Sequence, residues 1–318
     1  MPQVQRIVFD NTLDPKEAVE LVKTGEGQVD LVTDLNPLDT LRVAQSPFAK
    51  VVKNRGVLVS VFGMFNTLKA GSPWRDVRLR QAANLAINRE DLIQYATKGN
   101  GVIIPALLGV KDFGYDPDLT PYAFEPVTAR GLLREAGYPD GLAVTLIAPL
   151  TLEVQATVVG KMLEQVGFQV ERQLLDPGVY AQKLLRSHLD QPAEQQAWDI
   201  ALWWGGDSTG NFPVFEPYYL VALGGVLDWG IEKPELRQLY AQVLRTVDRE
   251  HQQALIRQME RHTRDQAYFL FLYNPIQLYA VNKAVEFVPH VSGFLMLAEV
   301  GVTDQHWSVR KQKATGPE

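Results

Sequence analysis

Residues 198–212 read WDIALWWGGDSTGNF, an apolar run that ends in two tryptophans, two glycines and a lone acid, Asp207. Within it, residues 199–204 predict a continuous apolar strand of the kind that is buried on both faces of a sheet. Open α/β sheets bind ligands beyond the carboxyl ends of their strands. Because Asp207 lies just past such an end, the stretch predicts a buried sheet with a candidate binding site beside it.

The rest of the chain alternates between predicted strands and helices, which indicates an α/β fold with mixed sheets. A strand at residues 4–10, a helix capped by Asp14 and a strand at residues 29–33 have the order of a βαβ unit. Further strands are predicted at residues 51–65, 143–148, 168–175, 267–273 and 277–281. Further helices are predicted at residues 76–96, 126–137, 151–166 and 179–189 and, on either side of Asp248, within residues 234–266.

The composition excludes several classes of function. A net charge of −6 argues against binding to nucleic acid, which requires a basic face for the phosphates. The chain has no cysteine, so disulfides, thiolate metal sites and a cysteine nucleophile are excluded. No apolar run reaches the roughly 18 residues of a membrane span, and the first residues lack the pattern of a signal peptide. We therefore expect either a cytoplasmic protein or one whose leader is missing from this sequence.

The residues that end the predicted strand suit a ligand with a positive charge. Gly206 lets the backbone and a ligand approach each other closely. Trp203 and Trp204 offer flat apolar walls and indole donors, and Asp207 offers a carboxylate to a cationic group. These four residues are therefore candidate ligand-binding residues.

The same stretch also matches an enzyme motif. Residues 206–210, GDSTG, fit the G-x-S-x-G nucleophile elbow of α/β-hydrolases, with Ser208 as the nucleophile. Candidate acids and histidines follow in the required order: Asp228, Asp248, His251, His262 and His290. The elbow requires a helix directly after the serine, but Asn211, Phe212 and Pro213 follow soon after it here. A serine hydrolase is therefore kept as an alternative hypothesis.

No metal or cofactor site is indicated. The five histidines are dispersed, and the spacing of Glu260 and His262 does not place them on one face of a helix. The sequence has no HExxH motif, no EF-hand loop and no glycine-rich phosphate loop. We therefore predict neither a metal nor a cofactor.

Four segments together resemble one family of binding proteins. Residues 65–91, FNTLKAGSPWRDVRLRQAANLAINRED, are similar to a family segment that runs from F-N through P-F-x-D-x-R-V-R-Q-A to A-I-D-R. Residues 114–141 resemble its proline-rich loop and A-x-x-L-L-x-E-A-G-Y-P-D-G helix, residues 198–207 its strand ending in W-x-x-D, and residues 269–289 its closing strands. The family is the peptide/nickel/opine type, family 5, of the extracytoplasmic solute-binding proteins of ABC transporters.

The resemblance implies a two-lobed, periplasmic-binding-protein-like fold that closes on its ligand by a hinge. Lobe I would contain residues 1–66, with the βαβ unit and a hinge strand, and residues 276–318, the return to lobe I and a C-terminal tail. Lobe II, the α/β ligand-binding lobe, would contain residues 67–275. Members of the family carry a longer N-terminal part, so lobe I is expected to be incomplete, and another chain is one candidate for completing it.

The resemblance also implies a function without enzymatic activity. The chain would be the solute-binding component of an ABC importer, or the C-terminal part of one, and its partners would be the permease subunits and a short peptide or similar amine-bearing solute. In peptide-binding relatives, the acid of the W-x-x-D stretch pairs with the free α-amino group of the ligand. That role falls on Asp207, with Trp204 three positions before it. Ser208 and Asn66 complete the set of candidate ligand-binding residues.

Two departures from the family pattern leave the ligand class open. Residues 208–211 replace the usual acid-proline continuation, and Ala201 stands where some oligopeptide binders carry an arginine for the peptide carboxylate. A periplasmic or cell-surface location is expected if a leader is missing, and a cytoplasmic one if the chain is complete. A cytoplasmic ligand-sensing module derived from the binding-protein fold is therefore a third hypothesis.

Overall fold

The computed structural model of the chain describes residues 4–56, 58–189, 191–206, 218, 221–230 and 233–315. The helices are α1 (Pro15–Val22), α2 (Thr40–Ala44), α3 (Val77–Leu85), α4 (Arg89–Thr97), α5 (Pro126–Glu135), α6 (Glu153–Glu164), α7 (Pro177–Leu184), α8 (Pro234–Arg245), α9 (Arg249–Asp265) and α10 (Trp307–Thr315). The strands are β1 (Leu31–Val32), β2 (Ala49–Asn54), β3 (Ser60–Phe65), β4 (Gly101–Ile103), β5 (Leu142–Pro149), β6 (Phe168–Leu175), β7 (Ile200–Gly205), β8 (Phe269–Pro275), β9 (Gln277–Asn282), β10 (Val285–Glu286) and β11 (Gly301–Val302).

The chain divides into two compact units. The smaller unit contains Met1–Val57 and Ile276–Glu318, and the larger unit contains Leu58–Pro275. The first boundary between the units precedes β3, whereas the predicted lobe boundary follows that strand, at residue 66. The assignment of these units to the predicted lobes stays a prediction.

The larger unit is built on a mixed six-stranded sheet in the order β4-β8-β3-β7-β5-β6. β5 runs parallel to β6 and β7, whereas β3 runs antiparallel to β7 and β8. Because side chains alternate along a strand, Val61 and Phe65 of β3 enter a core shared with α3 to α6. Phe62 and Met64 enter a second core shared with α7 to α9. Helices therefore cover both faces of the sheet, which confirms the predicted α/β class with mixed sheets.

The smaller unit holds two small antiparallel sheets, β1-β9-β2 and β10-β11. Tyr279 and Val281 of β9 pack with Val285 and Phe287 to form its core. Asp14 caps α1 as predicted, since its Oδ1 accepts the Lys16 backbone N–H at 2.8 Å. Among the helices of the described ranges, none combines the length and the apolar character that a membrane span needs.

Two predicted elements are wrong. Residues 4–10 form no strand, so the βαβ unit is not formed; β1 pairs with β9, and β9 already has β2 on its other edge. A strand needs such a partner to be stable, however β-branched its sequence. The helix predicted at residues 76–96 is two helices, because Asn88 caps a new one: its side-chain oxygen accepts the Asp91 backbone N–H. The strand material predicted at residues 51–65 is two strands, β2 and β3, which belong to different sheets. The other predicted elements are present, with ends shifted by a few residues.

Asn84 of α3 joins this helix to the edge of β8. The residue is fully buried, and its Nδ2 donates to the carbonyl oxygens of Arg80 and Phe269 at 3.0 and 2.9 Å. Its Oδ1 accepts the backbone N–H of Phe271 and a guanidinium N–H of Arg89, both at 3.1 Å. The side-chain amide of Asn84 thus forms hydrogen bonds with backbone groups of α3 and β8 and with the guanidinium group of Arg89.

We predict that Asn84→Ala lowers the free energy of unfolding by about 3 kcal/mol, because the Phe271 N–H and the Phe269 carbonyl lose a buried partner. Urea unfolding measures the loss. Gln81→Ala, on the same helix, is the matched control, since Gln81 makes an exposed hydrogen bond to the Asp265 carbonyl. We expect it to cost less than about 0.5 kcal/mol. Equal losses in the two variants would contradict this role of Asn84.

A long loop, residues 104–125, connects β4 to α5 and contains neither helix nor strand. Loops of this length in compact domains usually carry function. Three arginines of α9 hold it in place through their Nε atoms. The bonds run from Arg257 to the Tyr115 carbonyl at 3.2 Å, from Arg261 to Asp116 Oδ2 at 2.6 Å and from Arg264 to the Thr120 carbonyl at 3.1 Å. The loop therefore follows the side of α9.

Candidate ligand-binding site

The carboxyl end of β7 lies beside the beginning of β3. The two strands pair antiparallel, with Ser60 opposite Gly205 and Val61 opposite Trp204. One residue further on, a Cβ atom on Gly206 would overlap the Leu58 carbonyl oxygen. The close approach of the two backbones therefore requires glycine at position 206.

Three aromatic rings line the end of β7. Trp203 stacks on Tyr180 of α7, with ring centroids 6.3 Å apart and planes at 20°, and on Trp204 at 6.3 Å and 12°. The Tyr180 hydroxyl donates to the Leu202 carbonyl, and burial raises the pKa of Tyr180 well above its ordinary value. Tyr180 therefore stays neutral and supports Trp203 from the core side. Sequence patterns did not identify Tyr180, because nothing local links α7 to β7.

The prediction that residues 199–204 are buried on both faces holds only for the first part of β7. Ile200, Ala201 and Leu202 are completely buried, whereas Trp204 is 53% exposed. The end of β7 therefore leaves the core at Trp204. Asp207 and Ser208, the next candidate residues along the chain, lie outside the described residues.

Asn66 lies at the other end of the β3–β7 pair. It follows Phe65, which pairs with Ile200, so roughly 23 Å of strand separates it from Gly206. Its Nδ2 donates to the Trp198 carbonyl at 3.1 Å, and its Oδ1 accepts the Lys69 backbone N–H at 3.0 Å. Asn66 is fully buried in these contacts and is not brought together with the tryptophans.

A buried acid, Asp199, fixes the start of β7 near Asn66. Its Oδ2 accepts the Thr145 backbone N–H at 2.9 Å, and its Oδ1 pairs with Lys69 Nζ at 2.9 Å. The backbone N–H of Asn66 also donates to the Asp199 carbonyl at 2.9 Å. Asp199, the first acid of residues 198–207, therefore has a structural role.

A small cavity at this far end of the sheet is not a peptide site. It is lined by Phe65, Arg80, Asp228, Lys233 and Tyr268, among others, and its volume is about 10 Å³. That volume holds about one water molecule, whereas pockets for small ligands measure roughly 300 Å³ or more.

The end of β8 approaches the beginning of β3 through polar side chains. Asn274 Nδ2 donates to Ser60 Oγ at 3.0 Å and to the Val59 carbonyl. The Ser60 hydroxyl in turn donates to the Leu107 carbonyl of the 104–125 loop at 2.7 Å. The sequence patterns did not identify Ser60 or Asn274, although each is a polar residue near one end of an apolar strand.

Glu260 of α9 is completely buried on the other side of the same loop. Its Oε2 accepts the Leu108 backbone N–H at 3.1 Å, and its Oε1 accepts the Tyr218 hydroxyl. Burial raises the pKa of Glu260 to about 7, against the lowering effect of these two hydrogen bonds. Its position on the apolar face of the helix, with Ile256 and Met259, is the signal by which the sequence could have revealed it.

The acids and histidines of the hydrolase hypothesis make other contacts. Asp228 pairs with Lys233 at 2.8 Å, Asp248 accepts the His251 backbone N–H at 2.8 Å, His262 lies 3.2 Å from the Tyr268 hydroxyl, and His290 lies 2.7 Å from Ser292 Oγ. Tyr268 precedes β8, whose beginning lies at the end of the sheet opposite Gly206. Within the described residues, no three His, Asp or Glu side chains come close enough to hold a metal ion.

Residues 1–222 of the 318 match the family model described as bacterial extracellular solute-binding proteins, family 5 Middle. The chain belongs to this family. Membership in family 5 confirms the resemblance carried by the four sequence segments. Proteins of this family are binding proteins rather than enzymes.

Two curated proteins that are similar to this family 5 chain are named for the ligands they bind. The dipeptide-binding protein of Escherichia coli K12 is 30% identical over 147 residues, which cover 46% of this chain and 26% of that protein. The glutathione-binding protein GsiB of Salmonella choleraesuis is 27% identical over 186 residues, which cover 56% of this chain and 34% of that protein. The matched part of the chain is therefore about a third of the relatives' length or less.

A solved structure of a Helicobacter pylori periplasmic binding protein, DppA in complex with the peptide STSA, superposes with a TM-score of 0.73. The superposition covers 87% of this chain and 53% of the other at 19% identity. This likeness shows a shared fold, so the family 5 chain has the architecture of a periplasmic binding protein over about half of that structure.

We predict that Gly206→Ala lowers the free energy of unfolding by about 1–3 kcal/mol, because the methyl group would force the Leu58 backbone away. Gly131→Ala is the control: Gly131 lies in α5 with open space around its Cα. That change should stabilise the chain by about 0.5–1 kcal/mol. Thermal or urea unfolding compares the two, and a Gly206→Ala variant as stable as Gly131→Ala would disprove the close approach.

Proposed function

We propose that this chain is the solute-binding component of an ABC importer, or the C-terminal part of one, and that it binds a short peptide or a similar amine-bearing solute. The observation that carries the proposal is the ending of β7 in a family 5 chain: the exposed Trp204 and the obligatory Gly206 lead directly to Asp207. The named ligands of the dipeptide-binding and glutathione-binding relatives support a peptide as the ligand class.

The chemistry of the proposed site is an ion pair beside aromatic walls. A carboxylate on Asp207 would accept charge-assisted hydrogen bonds from a ligand ammonium group. The exposed face of Trp204, supported by Trp203 and Tyr180, would cover apolar parts of the ligand and attract its positive charge. Exclusion of water by the rings would strengthen the ion pair.

The proposed partners and location follow from the same assignment. An importer component would deliver its ligand to the permease subunits of the transporter, and it would do so outside the cytoplasmic membrane. The family's description as extracellular supports this location. A lipoprotein or secretory leader encoded upstream of residue 1 would be the genetic sign of it, whereas an upstream DNA-binding segment would favour the cytoplasmic sensing hypothesis.

We predict that Asp207→Asn weakens binding of a free-amine peptide by about 2–5 kcal/mol, because the ligand ammonium loses its charged partner. Isothermal titration of a dipeptide and a tetrapeptide panel measures the change. N-acetylation of the same peptides should reduce their affinity for the unmutated chain by a similar amount.

The matched control for this charge removal is Asp140→Asn, since Asp140 is an exposed acid in the turn before β5. It should leave every affinity unchanged. Unchanged affinity in Asp207→Asn, or equal binding of acetylated and free peptides, would remove Asp207 from the site.

We predict that Trp204→Ala weakens peptide binding by more than about 1 kcal/mol and changes the free energy of unfolding by less than about 1 kcal/mol. The reason is that the half-exposed ring has more surface available to a ligand than to the core. Tyr95→Ala, which removes another exposed ring from α4, is the control and should not affect binding. A large stability loss with unchanged affinity would make Trp204 a structural residue.

A further inference from the structure

The carboxyl ends of three parallel strands lie side by side at one edge of the sheet in the larger unit. β5 pairs in parallel with β6 on one side and with β7 on the other. The last residues of β5 and β6 pair with each other, and Ile147 of β5 pairs with Ala201 of β7. Leu150 and Trp204 each come three residues later in the chain, so they reach a similar height at this edge.

The helices that follow β5 and β6 leave the sheet on opposite faces. α6 follows β5 and packs through Ala156 and Val159 into the core shared with α3 to α5. α7 follows β6 and packs through Tyr180 and Leu184 into the other core. Open α/β sheets bind ligands beyond the carboxyl ends of their strands, at the point where neighbouring connections leave on opposite faces. The ends of β5 and β6 therefore extend the proposed site beyond the end of β7.

Four large apolar side chains at this edge are about half exposed. Leu150 follows β5, Val154 and Val179 lie in the first turns of α6 and α7, and Trp204 belongs to the end of β7. Their exposed fractions are 53%, 49%, 52% and 53%. Single exposed apolar side chains are ordinary, but a group of them at adjoining strand ends is typical of a binding site.

The first charged residue after β5 and after β6 is an acid. These acids are Glu153 and Asp176, whereas β5 and β7 themselves contain no charged residue. The basic residues of α6 and α7, Lys161 and Lys183, lie in the last turns of their helices. Arg172, within β6, donates to a backbone carbonyl of α6 at 3.5 Å. Along the described parts of these strands and helices, acids thus lie near the shared edge and bases lie away from it.

Two helix N-termini at this edge carry acids of their own. A helix N-terminus attracts an anion through its N–H groups and the helix dipole. At α7 the side chain of Asp176 already accepts the Gly178 N–H at 2.8 Å, and Glu153 brings negative charge into the first turn of α6. A ligand carboxylate would therefore meet like charges at both helices while losing its hydration.

We propose that the edge formed by the ends of β5, β6 and β7 selects ligands that have apolar side chains and no free carboxylate, such as the amides of apolar peptides. The inference rests on the proposed function, because it names the ligand class of the same site. Apolar groups of the ligand would cover the half-exposed side chains and remove both surfaces from water. The acids would reject a carboxylate, so that repulsion adds to the selection made by attraction.

The experiment titrates the 318-residue chain with four forms of the dipeptide Leu-Leu: unmodified, amidated at the C-terminus, acetylated at the N-terminus, and blocked at both ends. Amidation should raise the affinity at least about fivefold, whether or not the amine is free. The amide of Gly-Gly, which lacks side chains, should bind at least about tenfold more weakly than the amide of Leu-Leu. Isothermal titration calorimetry measures both ratios. Equal or tighter binding of the forms with a free carboxylate would overturn the inference.

Leu150→Ser and Val179→Ser test the apolar side chains of the edge. Both side chains are half exposed, so the variants should fold normally. Together the two changes should reduce the preference for the Leu-Leu amide over the Gly-Gly amide at least about threefold.

Val226→Ser is the matched control for these changes. Val226 is 39% exposed, and its carbonyl accepts the backbone N–H of Arg186, just after the opposite end of α7 from Val179. This variant should keep the full preference for the Leu-Leu amide. A preference that is unchanged in the double variant would overturn the inference.

Methyl NMR of the same chain locates the ligand directly. The Leu-Leu amide should shift the methyl signals of Leu150, Val154 and Val179 and leave those of Val226 in place. Chemical shifts also record binding that is too weak for calorimetry, so this measurement decides the location at any affinity. Shifts confined to other methyl groups would overturn the inference.

The proposed function and the inference can fail separately. Acetylation tests the pairing of the ligand ammonium group with Asp207, whereas amidation tests the edge of the sheet. Amidation that strengthens binding while acetylation changes nothing would contradict the ion pair and support the inference. Acetylation that weakens binding while amidation gives no gain would support the ion pair and overturn the inference. Absence of binding and of methyl shifts with all four forms would contradict both.

Discussion

β3 pairs with β7 along one edge and with β8 along the other, and each of its six residues is buried. Its side chains alternate between two separate hydrophobic cores. A shift of the strand by one residue would therefore move the side chains of each face into the other core. That register sets where β7 ends. The position of Gly206 against the Leu58 backbone depends on it.

The polar residues inside the larger unit follow a common rule. Asn84, Asp199 and Glu260 are buried, and each uses its oxygens or nitrogens to join segments that are distant in sequence. A buried polar group without such partners would destabilise the fold by several kcal/mol. The need for hydrogen-bond partners also lets these residues fix the segments that they join, because their hydrogen bonds are satisfied in one arrangement of helix, strand and loop.

Local patterns predicted the elements whose formation depends on local chemistry. β6 and the break between α8 and α9 at Asp248 follow from period and capping residues. Residues 4–10 have the pattern of a strand but find no partner edge, and the helix break at Asn88 depends on one side-chain bond within a long helical pattern. The sequence pattern alone shows neither the missing partner of residues 4–10 nor the helix break at Asn88.

The candidate site, too, could be predicted from the sequence only where it depends on local chemistry. The end of β7 with its tryptophans and glycines is visible in the sequence, because glycines after an apolar run mark the end of a strand. The position of Asn66 at the opposite end of the sheet depends on the antiparallel pairing of β3 with β7 across more than a hundred residues of chain. Tyr180, Asn274 and Glu260 act through long-range contacts, so they become visible only in three dimensions.

The most direct test of the account is a crystal structure of the chain with a bound free-amine peptide. The account predicts that the peptide's terminal nitrogen lies about 2.7–2.9 Å from an oxygen of Asp207, with Trp204 against the ligand. A bound peptide whose terminal nitrogen points to solvent or pairs with another acid would contradict it.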